Sequence, residues 1–105
     1  MVIEVAEFQG SQMPLFFKLC SDHLSIEAIP RRPLAVDFSE MKARPFSQHE
    51  LMMWTPHLVV LKNSDGLEIT LRKDGRMIVR KAASEQIARD AAAEVMRLVL
   101  KDFSL

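Results

Sequence analysis

An α+β fold, an antiparallel sheet closed by one long C-terminal helix, is predicted by three features of the second half of the sequence. Three short runs with alternating apolar residues occupy residues 57–62, 67–72 and 76–81. Tight turns, NSDG at 63–66 and KDG at 73–75, join them, each with a glycine where the backbone needs a positive φ. An amphipathic stretch then fills residues 84–102.

Taking the elements in order, residues 2–8 set Ile3 and Val5 against Glu4, the alternation of a strand. Gly10 and Ser11 end it, and Ser11 can cap a helix that holds Pro14 in its first turn, where a missing N–H costs nothing. Over residues 12–23, Leu15, Phe16, Leu19 and His23 fall on one helical face, which Met13, Phe17 and Cys20 extend. Residues 24–29 read as a short strand. Pro30, Pro33, Pro45 and Pro56 break up residues 30–56, which read as an irregular insertion. Within it LAVDF at 34–38 suggests a short strand. SQHE at 47–50 has the form of a capping box opening a short helix through Leu51, Met52, Met53 and Trp54. The expected whole is one α+β domain over 1–105, a sheet of about four to five strands with the C-terminal and an N-terminal helix on one face.

The register of the last three strands follows from the residues. With a glycine-ended loop at each turn, Leu61 faces Ile69, Val59 faces Leu71, Leu71 faces Met77 and Ile69 faces Val79. One sheet face is then wholly apolar. On the other, Lys62 falls opposite Glu68, and Glu68 opposite Arg80, both favourable cross-strand pairs. A slip of one residue would lose all of these together. Ser84 caps the last helix, with Glu85 in its first turn, where negative charge suits the helix dipole. Ile87, Ala88, Ala91, Ala92, Val95, Leu98 and Val99 share one half of that helix. The alanines let it lie close on the apolar sheet face.

That leaves the other face. It carries Leu58, Val60, Thr70 and Ile78 at its centre and Lys62, Arg72, Arg76 and Arg80 around them, with Glu68 as its lone acid. An apolar centre with a basic rim suits a second protein, another copy of the chain, or nucleic acid. A half-solvated face, or one covered by residues 30–56, would carry the same residues. Met53 and Trp54 are candidate anchors for a partner, since Met and Trp are enriched at interfaces; a lid packed on the core would use the same side chains.

Composition sets bounds on these readings. Lys and Arg together number 14, as do Asp and Glu, so the net charge is zero. Such a chain has no global attraction to nucleic acid or anionic membrane, and any such binding would need a local patch. The N-terminal MVIEVAEF lacks the basic start of a signal peptide, and no apolar run reaches the roughly 20 residues of a membrane span. The expectation is a soluble, cytoplasmic protein, with which its single cysteine, Cys20, is consistent. No cofactor or metal motif stands out: His23, His49 and His57 lack ligand spacing. Cys20 and His23, three apart on the expected helix, could form a thiol–imidazole pair, but a core cysteine beside a helix-end histidine satisfies the same spacing.

Residues 67–103, LEITLRKDGRMIVRKAASEQIARDAAAEVMRLVLKDF, resemble one half-repeat of the TATA-box-binding protein fold. The matching parts are the strand Ile69 to Leu71, the turn Asp74-Gly75-Arg76-Met77, the link Ala82-Ala83-Ser84-Glu85 and the helix Ile87 to Val99. Residues 57–62 match the preceding strand, and 2–29 would supply the first strand and its helix. The resemblance covers about 70 residues and omits 30–56. It implies that the open face corresponds to that family's DNA-facing side, on which Val60, Thr70 and Ile78 fit. It departs where the family inserts phenylalanines, since Thr55 and Arg72 stand there. With a single half-repeat, a saddle would require a homodimer. ITLRKDGRMIV is also faintly similar to a tail segment of adenylyltransferases that activate sulfur-carrier proteins, which implies an accessory role beside such an enzyme. The reading of the residues themselves is a non-enzymatic module that associates through its open face with itself or a protein partner. A nucleic-acid-binding homodimer is the alternative.

Overall fold

A computed structural model of the chain describes residues 3–6, 15–19, 25–32, 34–43, 46 and 48–103. They form strands β1 (Ile3–Ala6), β2 (Leu15–Leu19) and β3 (Ser25–Pro30), helix α1 (Phe38–Ala43), strands β4 (His49–Trp54), β5 (Leu58–Asn63), β6 (Glu68–Arg72) and β7 (Met77–Arg80), and helix α2 (Glu85–Asp102). The strands make one seven-stranded sheet in the order β1-β2-β3-β7-β6-β5-β4. Every pairing is antiparallel. The α+β class holds, with more strands than the four or five expected.

The β5–β6–β7 meander has the register read from the sequence. Leu61 pairs with Ile69 and Val59 with Leu71; across the next turn Leu71 pairs with Met77 and Ile69 with Val79. Its turns are built by the residues that signalled them. Asn63 Oδ1 accepts from the backbone N–H of Asp65 at 3.0 Å and of Leu67 at 2.9 Å, and Gly66 sits at φ 84°. In the second turn the N–H of Gly75, at φ 92°, donates to the carbonyl of Arg72 at 3.0 Å.

Two expected helices are strands. Residues 15–19 lie between β1 and β3, and Leu15 and Phe17 are buried while Lys18 is half-buried. That alternation has period two. The run LFFKL suits either period, and strand neighbours on both sides decide it. Ser11, Met13, Pro14, Cys20 and His23 lie outside the described residues. The capping-box reading of 47–50 also fails. Gln48 has φ 57°, which cannot enter a right-handed helix, and the chain continues as β4, where Glu50 pairs with Lys62.

The short helix of the 30–56 segment lies earlier. Asp37 Oδ1 accepts from the N–H of Glu40 at 3.1 Å and so caps α1. The strand expected at 34–38 is reduced to a bridge at Val36, whose N–H donates to the Lys73 carbonyl at 3.0 Å.

α2 and the segment around α1 fill the same side of the sheet. From α2 come Ala88, Ala91, Ala92, Val95, Met96 and Val99; from the segment come Val36, Phe38, Met41 and Phe46. Phe46 and Phe103 stack at 5.2 Å between centroids, joining the two groups. α2 lies across β3 and β7. Its N-cap is Ser84, whose Oγ accepts from Ile87 N–H at 3.2 Å. Ile87 itself, placed on the packed face by its spacing, is 40% exposed, while Met96 is fully buried. Burial begins one residue later, at Ala88.

Candidate interaction face

The side opposite the helices is ordered by register into rows. One row runs Glu50–Lys62–Glu68–Arg80 over β4, β5, β6 and β7, with alternating charge at each step. The next runs Met53–Val60–Thr70–Ile78 over the same strands, then Glu27 on β3 and Lys18 on β2. A third joins Leu58 to Arg72. Leu58, Val60, Thr70 and Ile78 are half-buried, and Lys62, Arg72, Arg76 and Arg80 are exposed. The candidate residues thus share one surface. Val36, Phe38, Met41 and Phe46 pack on the helix side, so the described part of residues 30–56 contributes its core to the opposite face.

The electrostatics differ from the reading of four cations against a lone acid. Glu27 and Glu50 stand on the same face, placed there by β3 and β4, and β2 adds Lys18. Asp74 lies 3.5 Å from Arg72 and 3.8 Å from Arg76, and Glu68 lies 3.5 Å from Lys81. The rim therefore holds Lys18, Lys62, Arg72, Arg76, Arg80 and Lys81 against Glu27, Glu50, Glu68 and Asp74. Each contact is exposed and contributes at most about 1 kcal/mol, but together the acids offset most of the positive charge. Glu27 and Glu50 were missed because their strands had no assigned register.

β4 is the sheet edge among the described residues, and it is irregular. Leu51 pairs with Leu61 and Met53 with Val60, so one extra residue, Met52, enters between them as a β-bulge. Leu51 is 37%, Met52 51% and Met53 53% exposed. The bulge also divides the two candidate anchors. Met53 stands on the open face beside Val60, whereas Trp54 pairs with Val59 on the helix side. There Trp54 Nε1 donates to the Phe38 carbonyl at 2.8 Å, and Lys42 Nζ lies 4.4 Å from the ring centroid. Trp54 thus clamps α1 to the sheet.

Thr55 and Arg72, the two departures from the resemblance, are both engaged at strand ends. Thr55 Oγ1 accepts from the N–H groups of His57 and Leu58 and donates to the Leu58 carbonyl at 2.9 Å. Arg72 faces Asp74. A cleft of about 160 Å³ opens on the helix side between Asp37, Ser39, Trp54 and Lys73. It is smaller than the roughly 300 Å³ at which metabolite pockets begin. His49 is edge-on to Phe46 at 5.0 Å. Among the described residues no group of His, Cys, Asp or Glu is arranged to hold a metal ion, and no helix is long and apolar enough to cross a membrane.

No family model, curated protein or solved structure matches the chain.

Proposed function

We propose that this chain is a non-enzymatic association module whose open sheet face meets a protein surface. The observation that carries this reading is the continuity of exposed Met53 with half-buried Val60, Thr70 and Ile78 across four strands, beside a row of alternating charge. Apolar contact supplies the attraction on association, and the alternating charges set orientation by favouring a partner of complementary pattern. Six cations set against four acids leave a small positive excess, which gives little of the net attraction that phosphate binding draws on. The surface chemistry therefore favours protein over nucleic acid.

Ile78→Glu tests the reading, because it puts a carboxylate in the centre of the face beside Glu27. The native chain should retain a protein partner, either a second copy by light scattering or another protein by affinity capture. The variant should lose that partner at least tenfold while keeping the same circular dichroism. Equal retention by both chains contradicts the proposal. So does a salt-dependent shift of duplex DNA that Ile78→Glu or Arg80→Glu removes, which would instead support the nucleic-acid reading.

A further inference from the structure

We infer that β4 is a self-pairing edge: two copies of the chain join antiparallel through it, so that two seven-stranded sheets become one. This inference rests on the register of the edge and not on what the open face binds.

An exposed edge strand offers backbone N–H and C=O groups to another strand. Among the described residues, only β5 pairs with β4 as a strand, and at the start of β4 the His49 N–H donates to the Phe46 carbonyl at 3.1 Å, so the edge groups offered to a second strand are those beyond it. The bulge determines which strand can use the other side. His49 and Leu51 align with Asn63 and Leu61 on the helix side, and Glu50 aligns with Lys62 on the open side. After the extra residue the alternation is out of step, with Met53 on the open side and Trp54 on the helix side. A regular strand alternates without interruption. It can match the faces of β4 on one side of the bulge only, and an error of one residue turns each side chain to the wrong face.

A second β4 carries the same interruption. Run antiparallel about a two-fold axis between Leu51 and Met52, it sets His49 opposite Trp54 of the second copy, both on the helix side. It sets Glu50 opposite Met53 of the second copy, both on the open side. Neighbouring registers put open-side residues opposite helix-side ones, as in Glu50 against Trp54 or His49 against Met53. The edge therefore discriminates against regular strands and accepts itself, a form of specificity built from an irregularity.

Charge and exposure agree with this occupant. The chosen register keeps the two Glu50 carboxylates three residues apart along the strands, about 10 Å, and faces each with a methionine. The register that sets Glu50 against Glu50 would place like charges directly opposite. The centre of the edge is Leu51, Met52 and Met53, exposed by 37%, 51% and 53%, and pairing would cover them.

The test is heterologous disulfide trapping. Opposed residues on antiparallel strands have Cα atoms about 4.5–5.5 Å apart, within disulfide range, whereas about 10 Å is too far. Glu50→Cys and Met53→Cys chains are prepared separately, then mixed and oxidised; Cys20 is common to every sample and sets the baseline. The native chain should scatter light as twice its 12.0 kDa mass. A disulfide between positions 50 and 53, identified by mass spectrometry, should form in the mixture, while neither variant alone should form a 50–50 or a 53–53 disulfide. A native chain that stays at one chain mass to millimolar concentration overturns the inference. So does a dimer whose mixed variants yield no 50–53 linkage. That second outcome leaves association through the open face standing.

Discussion

At the scale of single residues, the two turn glycines separate backbone strain from packing. Both lie at positive φ, but a Cβ at Gly66 would meet nothing within 4 Å, whereas one at Gly75 would lie 2.9 Å from Leu34 Cγ and 3.2 Å from Pro30 Cγ. Gly66→Ala should cost about 1–2 kcal/mol from the left-handed conformation alone. Gly75→Ala should cost about 2–4 kcal/mol, because overpacking against Leu34 adds to it. Urea denaturation of the two variants measures the difference directly. The methionines divide in a similar way. Met41, Met77 and Met96 are 2%, 0% and 0% exposed, against 51% for Met52 and 53% for Met53. At a dilution that keeps the chain monomeric, mild hydrogen peroxide should oxidise Met52 and Met53 to sulfoxides well before the other three, which peptide mass spectrometry reads. Early oxidation of Met77 would mean that the sheet opens in solution.

Among the elements, α2 and the β5–β6–β7 meander hold the core. Leu71 is fully buried between Val59 and Met77. Leu71→Ala should therefore cost about 2–5 kcal/mol, through lost apolar transfer and the cavity left behind. Ser84→Ala removes the cap bond to Ile87 N–H and should cost about 1 kcal/mol. Thermal or urea unfolding checks both, and Leu71→Ala should cost more than Ser84→Ala. These were the elements that could be read in advance, because their signals are local. Asp-Gly turns, strict alternation and an N-cap each act within a few residues. β2 and β4 were not legible for the opposite reason. LFFKL and HELMMW satisfy helical spacing or capping patterns on their own, and it is pairing with β1, β3 and β5 that makes them strands. The helix α1 did leave a signal in Asp37 and Glu40, three apart at its start, and Asp37 is the residue that caps it. Nothing local marks the bulge at Met52, which exists only relative to β5. The candidate face was thus half legible: its β5, β6 and β7 residues were named from the sequence, while Glu27, Glu50 and Lys18 came from strands whose register depended on distant partners.

For the molecule as a whole, two layers account for every large buried side chain on one side of the sheet and leave the other side bare of the described helices. On a chain of zero net charge, the open side keeps only a small positive excess once Glu27, Glu50 and Asp74 are placed on it, so duplex DNA at low salt should show no shift in a mobility assay. The central claim is that this surface meets protein. A photo-reactive residue at Ile78, compared with one at exposed Arg97 on the outer side of α2, tests it most directly. Irradiation in cells should yield covalent protein adducts, to a second copy or to another chain, from position 78 and at least tenfold fewer from position 97. Equal adducts from the two positions, or none from position 78, would contradict the claim.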